Sequence, residues 1–235
     1  MTWRLVLLGL MLAGPASAAP DAGASFTHAV PAERIFALLF LMIGPLKILG
    51  PFVAMTRDTE PAFRRQLATR AILFSAAALV LAGSVGHQML RNLDIPIPIL
   101  ALTGGLVLFL VALQTLLEQF RRPDAPRGEA PRPDLAMAIN PLAFPTIVTP
   151  YGIAAVIIFV SLAEGDHAAQ LVIAGLVAVI LLLDWLAMLA AHAILRRAGT
   201  ALQILAVVLG VTQVALGLLI MLKALSATGL FVLRV

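Results

Sequence analysis

The chain has 235 residues, of which 61% are hydrophobic and 12% are charged, and it contains no cysteine. Because a soluble domain carries about 25% charged residues, this composition excludes an ordinary soluble protein, and the lack of cysteine excludes disulfides and thiolate metal sites. The net charge of +4 does not point to a nucleic-acid partner, because the arginines lie in short loops between apolar segments, where they set membrane orientation.

The first 18 residues have the features of a signal peptide. Arg4 supplies a positive charge, residues 5–13 form a short apolar core, and Ala16-Ser17-Ala18 is a small-residue cleavage motif. Such a core is too short to span a bilayer. The alternative is an uncleaved seventh helix. After cleavage, residues 19–33 would form a short external tail.

Six longer apolar segments follow, and each reaches the roughly 20 residues that a membrane-spanning helix needs. They comprise residues 34–55, 71–90, 95–117, 135–163, 170–195 and 201–225. We therefore predict an all-α polytopic membrane protein with six transmembrane helices. A unit of three helices reverses its direction in the membrane when it is repeated, so residues 34–119 and 135–225 are predicted to be two inverted three-helix repeats.

The distribution of lysine and arginine predicts how the chain is oriented. Most of these residues lie in the loops after the first, third and fifth segments. Basic loops stay in the cytoplasm, so both mature termini, including the tail at 226–235, are predicted to lie outside a bacterial inner membrane. Residues 120–134 are rich in proline and charge without an apolar face, which indicates a flexible cytoplasmic linker.

Two matching proline clusters interrupt the first segment of each half. One is Ile43-Gly44-Pro45-Leu46 followed by Gly50-Pro51, and the other is Ile139-Asn140-Pro141-Leu142 followed by Pro145 and Pro150. Proline breaks a helix, and a broken helix in lipid survives only where protein buries it or where it lines a watery cavity. Paired broken helices indicate a transport site. The alternative is that the prolines only kink packed helices.

Lys47 and Asp184 are charged residues deep within apolar segments, where a charge costs several kcal/mol and indicates function by default. Counted along two helices that run in the same direction, they lie at depths of roughly 18 and 21 Å, so the two side chains could meet. Two interpretations stay open, namely a gate or proton-coupled pair, and a structural pair or two side chains that reach toward the cytoplasm. The predicted substrate or ion pathway comprises Pro45, Lys47, Pro51, Asn140, Pro141, Pro145, Thr146, Thr149 and Asp184.

Other polar and small residues have simpler interpretations. Gly104 and Gly105 favour close helix packing over a phosphate-binding loop, because no strand and no lysine-serine pair accompany them. Gln114 and Gln213 are expected to form interhelical hydrogen bonds. No catalytic, metal or cofactor site is predicted, since the four histidines are scattered and no nucleophile–base set occurs.

At these residues the chain resembles the MarC family of bacterial inner-membrane proteins, from about residue 34 to residue 225. The stretch 103–113 is similar to the family's glycine-pair motif, and Pro141-Leu142-Ala143-Phe144-Pro145 is similar to its second proline motif. Gly44-Pro45 resembles the first Asn-Pro motif, with glycine in place of asparagine, and Lys47 and Asp184 are not expected in most members. The resemblance implies six helices, external termini and no enzymatic activity. Some relatives are described as neutral amino-acid transporters, and the wider LysE-like superfamily includes amino-acid exporters.

The sequence thus favours secondary transport or export of a small polar solute, such as a neutral amino acid, by alternating access. The expected partners are the lipid bilayer, the solute and a coupling ion, either a proton or sodium. The alternative is a membrane scaffold or assembly protein that does not transport. The substrate, the direction of transport and the oligomeric state are left open by the sequence.

Overall fold

The computed structural model describes residues 32–120 and 134–229, and these residues form helices joined by short turns. The predicted signal peptide at 1–18, nearly all of the tail at 19–33 and most of the linker at 120–134 lie outside the described residues. The last six residues of the predicted tail at 226–235 lie outside them too. The predictions for these parts of the chain therefore stay predictions.

The first half of the chain begins with a broken segment. Gly44 is extended (φ −66°, ψ 174°), as expected before a proline, and Pro45 cannot donate a backbone hydrogen bond, so the first helix ends at Ile43. The elements of this half are α1 (Ala32–Ile43), a single tight turn (Pro45–Lys47), α2 (Leu49–Met55), α3 (Pro61–Leu81), a widened turn (Ala82–Gly86), α4 (His87–Asn92) and α5 (Ile97–Phe120).

The second half also begins with a broken segment, which is more irregular than the first. Asn140 and Phe144 are extended where a helix would need them to be helical, and each precedes a proline. The two Xaa-Pro peptide bonds are cis. The segment bends by 65° before its second part. It consists of two irregular turns (Leu135–Ala138 and Ile139–Ile147) and α6 (Pro150–Leu162).

The last element, α7 (His167–Ala227), contains both the fifth and the sixth predicted segments. Its 61 residues run as one helix except at Ala198, whose backbone is not helical (φ −131°, ψ 18°). The described residues contain four helices that are long and apolar enough to cross a membrane, or five if the bent segment counts as one crossing. The all-helical membrane architecture is therefore confirmed, whereas the helices alone do not establish six crossings.

The predicted start of the second segment at residue 71 was wrong, because α3 begins ten residues earlier, at Pro61. The apolar pattern starts only after Arg64, Arg65 and Arg70, but arginine is a good helix former, so the helix itself includes these residues. Pro61 is favoured at the first helical position, where its missing N–H has no partner to lose.

Close glycine contacts hold α5 against the second part of α7. A Cβ atom added to Gly217 would lie 2.8 Å from the backbone nitrogen of Phe109, and one added to Gly105 would lie 3.0 Å from the carbonyl oxygen of Gly217. Further along, a Cβ atom on Gly210 would lie 3.6 Å from Leu116 Cδ1. Residues later in α5 contact residues earlier in α7, so the two helices run antiparallel. The glycines let their backbones touch.

We expect Gly217→Ala to destabilise the protein by about 1–3 kcal/mol, because the added methyl group would press on the backbone of Phe109, which cannot rotate away. Gly175→Ala is the matched control in the same element, since a Cβ atom there meets nothing within 4 Å. Thermal unfolding of both variants in detergent measures the difference. Equal melting temperatures would contradict the close contact.

Candidate functional site

The two broken segments meet through backbone carbonyl groups that their own helices leave without donors. Because α1 ends at Ile43, the carbonyl of Met42 has no N–H of the next turn to accept from. Lys47 Nζ donates to this oxygen, and the same ammonium lies 3.5 Å from the carbonyl oxygen of Ile147 in the second half. Thr149 Oγ1 also lies 3.5 Å from the Met42 oxygen. The Lys47 side chain therefore bridges the two breaks.

A second free carbonyl in the first break is satisfied from the far end of the chain. Pro45 has no N–H to offer the carbonyl of Leu41, four residues earlier. Gln213 Nε2 donates to that oxygen at 2.7 Å, which is the interhelical hydrogen bond expected of Gln213. This bond ties α1 to the second part of α7 at the level of the break.

The start of α6 supplies the other contacts of Lys47. Thr149 caps this helix, since its Oγ1 accepts from the backbone N–H of Gly152 at 3.1 Å. At the second residue of the helix, the ring of Tyr151 lies with its centroid 5.5 Å from Lys47 Nζ. A cation within about 6 Å of an aromatic face is attracted by the ring quadrupole. Tyr151 is 6% exposed, so this attraction acts away from bulk water.

Asp184 is fully buried in α7, and neither of its carboxylate oxygens has a hydrogen-bond partner among the described residues. It interacts electrostatically with Lys47, but no direct ion pair joins the two within the described part of the chain. The next residue fixes this turn against α3, because Trp185 Nε1 donates to Thr69 Oγ1 at 3.1 Å. A buried carboxylate without donors is costly, so the nearby ammonium is its compensation.

The structure separates the predicted pathway residues into two groups. Thr149 and Asp184 are buried, and Pro45, Lys47 and Thr146 are partly buried. The others are exposed, namely Pro51, Asn140, Pro141 and Pro145. The carbonyls of Met42 and Ile147 were missed as site groups, because every residue has a carbonyl. The rule that a helix end leaves its last carbonyls unpaired could have found Met42.

A cavity of about 470 Å³ lies beside this junction. Its walls come from the first broken segment, from α5 and from α7 on both sides of Ala198. The lining is mainly apolar, and its polar side chains are Lys47, Thr115, Gln203 and Gln213. Small-molecule sites have this volume and this pattern of a few polar groups in an apolar wall.

A polar cluster joins the two halves at another place. Arg91 Nη1 lies 2.7 Å from Glu164 Oε1, and His87 Nδ1 lies 2.9 Å from Ser161 Oγ. These contacts connect α4, in the first half, with the end of α6, in the second. Helix α4 and the end of α6 therefore lie at the same side of the molecule.

Long apolar helices, two broken segments and a buried charged junction define the class, an integral membrane protein of several spans. The chain matches the family described as MarC family integral membrane protein over residues 32–228. It therefore belongs to the MarC family.

Two relatives show the extent of the likeness. The UPF0056 inner membrane protein YhgN of Escherichia coli is 29% identical over 60% of this chain and 69% of its own. A UPF0056 membrane protein of Archaeoglobus fulgidus is 30% identical over 59% of this chain and 65% of its own. No solved structure matches the chain.

We expect Thr149→Val to lower the free energy of unfolding by about 0.5–2 kcal/mol, because valine keeps the shape but loses the cap of α6. It also loses the contact with the Met42 carbonyl oxygen. Thr149→Ser is the control, since it keeps the hydroxyl. Melting temperatures of the purified variants test this, and a valine variant as stable as the serine variant would show that the cap is not needed.

Proposed function

We propose that this protein is a secondary transporter of a small polar solute, and that the two broken segments form the pathway. The observation that carries the proposal is the junction at Lys47, where this side chain bridges carbonyls of both broken segments beside a cavity of about 470 Å³. Irregular backbone in a membrane is tolerated where it lines such a cavity, and transporters build midplane sites from interrupted helices.

The groups at the junction suit a small zwitterion such as a neutral amino acid. The capped start of α6 and the ammonium of Lys47 favour a carboxylate, because a helix N-terminus carries a partial positive charge. Free carbonyls and the carboxylate of Asp184 favour an ammonium group. Movement of the first broken segment against α7 would expose the junction to the two sides in turn, with a proton or sodium as the coupling ion.

Six crossings are supported by the length of α7 and by where its ends lie. A straight helix of 61 residues would extend about 92 Å, roughly three times the hydrocarbon thickness of about 30 Å. Its start follows Glu164, which lies beside Arg91 near the beginning of α5. The second part of α7 passes Leu116 at Gly210 and Gly105 at Gly217, so it runs from the end of α5 back toward its beginning. We propose that the chain turns back at Ala198 and crosses twice.

Inverted repeats are supported by reciprocal contacts between α5 and α7. Gly105-Leu106 corresponds to Gly217-Leu218, and Phe109 then corresponds to Met221. A Cβ atom on Gly217 would meet the backbone of Phe109, and one on Gly105 would meet the side chain of Met221. Such exchange of equivalent contacts is the mark of a two-fold axis. Since the helices are antiparallel, this axis would lie in the membrane plane. Each half is then a broken segment followed by two continuous helices.

The proposed topology, with both termini external in a bacterial inner membrane, predicts the labelling of single cysteines. The chain has no cysteine, so each introduced thiol reports alone. We expect Asp58→Cys and Thr200→Cys to be protected from an impermeant maleimide in intact spheroplasts. We expect Asn92→Cys and Thr228→Cys to react. All four positions are exposed. If Thr200→Cys and Thr228→Cys react from the same side, α7 does not cross a second time.

The transport proposal predicts saturable flux of amino acids in proteoliposomes, measured as counterflow over a panel with and without proton and sodium gradients. We expect Lys47→Ala to reduce flux roughly 10- to 100-fold, because a charge-assisted hydrogen bond is worth about 1.5–3 kcal/mol. Gly175→Ala should retain it. No flux across the panel by folded protein in intact vesicles would favour the scaffold alternative.

A further inference from the structure

The environment of the Lys47 ammonium has the composition of a cation-binding site. We infer that the junction of the two broken segments is a site for a small monovalent cation, and that Lys47 is a tethered substitute for that cation. Any role of this site in moving a solute rests on the proposed transport. As a binding site, it stands on the contacts of the junction alone.

Two carbonyl oxygens from separate parts of the chain lie at the position of Nζ. The carbonyl of Met42 accepts from it, and the carbonyl of Ile147 lies at 3.5 Å. The hydroxyl of Thr149 lies 3.5 Å from the Met42 oxygen. Hard cations take carbonyl, hydroxyl and carboxylate oxygens, and unwound carbonyls coordinate sodium in transporters built from broken helices.

The charges at the junction favour a cation. Asp184 is fully buried and has no hydrogen-bond partner in the described part of the chain, and its electrostatic partner is Lys47. The face of Tyr151, at 5.5 Å from Nζ, adds a further attraction for positive charge. Removal of the ammonium alone would leave the Asp184 carboxylate without its positive partner, which is the most unfavourable state of a buried pair.

A soluble cation could replace the ammonium, because the junction is accessible. Lys47 is among the residues that line the cavity of about 470 Å³, so a shortened side chain would open a path from this cavity toward the Met42 and Ile147 carbonyls. In the wild type this position is filled by the chain itself. The wild-type protein should therefore need no sodium, potassium or ammonium to keep the junction neutral.

The test is thermal unfolding of purified Lys47→Ala in detergent, with sodium, potassium or ammonium chloride compared against choline chloride at equal ionic strength. We expect a saturable rise in melting temperature of roughly 5–10 °C at a hundredfold excess of cation over its Kd. The three salts distinguish the preferred cation. The wild type and the double variant with Asp184→Asn should show no preference over choline.

A second variant protects the test against poor folding of the alanine variant. Lys47→Met keeps the apolar stem and ends one atom short of the Nζ position, so it should show the same cation dependence. Lys47→Arg retains a charge and should show none. Cation-independent melting of both neutral variants, or an equal shift in the wild type, would overturn the inference.

This experiment separates the inference from the transport proposal, since unfolding does not require flux. If sodium stabilises a neutral Lys47 variant but the protein moves no solute, the cation site is supported and only the transport proposal is contradicted. Saturable flux together with cation-independent melting would keep the transporter and overturn the cation site.

Discussion

The structure depends on the need to satisfy backbone groups that prolines leave unpaired inside a membrane. Without water, an unpaired carbonyl costs several kcal/mol, so a broken helix must find donors from other parts of the protein. Here Gln213 serves the carbonyl of Leu41, and Lys47 serves those of Met42 and Ile147. These bonds require the carbonyl of Met42 in the first break and that of Ile147 in the second to lie close together. The architecture around them follows from that requirement.

The charged pair at the junction is not explained by stability. Replacing a buried pair of charges with apolar residues is often neutral or stabilising, because desolvation offsets the attraction. Asp184 in particular makes no hydrogen bond within the described residues, so no hydrogen bond offsets the free energy lost when it is buried. Lys47 is different, since it joins two segments. A carboxylate kept under these conditions is more readily explained by the binding of charge than by folding.

Hydropathy and proline predicted the class, the two breaks and the buried charges, because each of these is a property of residue type. The partners of Lys47 were not predictable in the same way, since they are carbonyls selected by where α1 ends and where α6 begins. The start of α3 was missed because Arg64 and Arg65 are polar, although arginine is a good helix former. The break at Ala198 lies between the fifth and sixth predicted segments, where Arg196, Arg197 and Gly199 interrupt the apolar pattern, but the sequence did not predict that the backbone around it would stay helical.

The contacts also divide the molecule into a rigid part and a part that can move. Where Gly105 and Gly217 meet, backbone touches backbone, and close packing of this kind does not deform gradually. The first broken segment instead borders a cavity on the side facing α7. Its bond from Gln213 to the carbonyl of Leu41 lies at the break itself. Movement of the first broken segment toward this cavity would displace Lys47 from Ile147, which lies on the other broken segment. The contact between Lys47 and the carbonyl of Ile147 joins the two broken segments, and it is also the contact that such a movement must break.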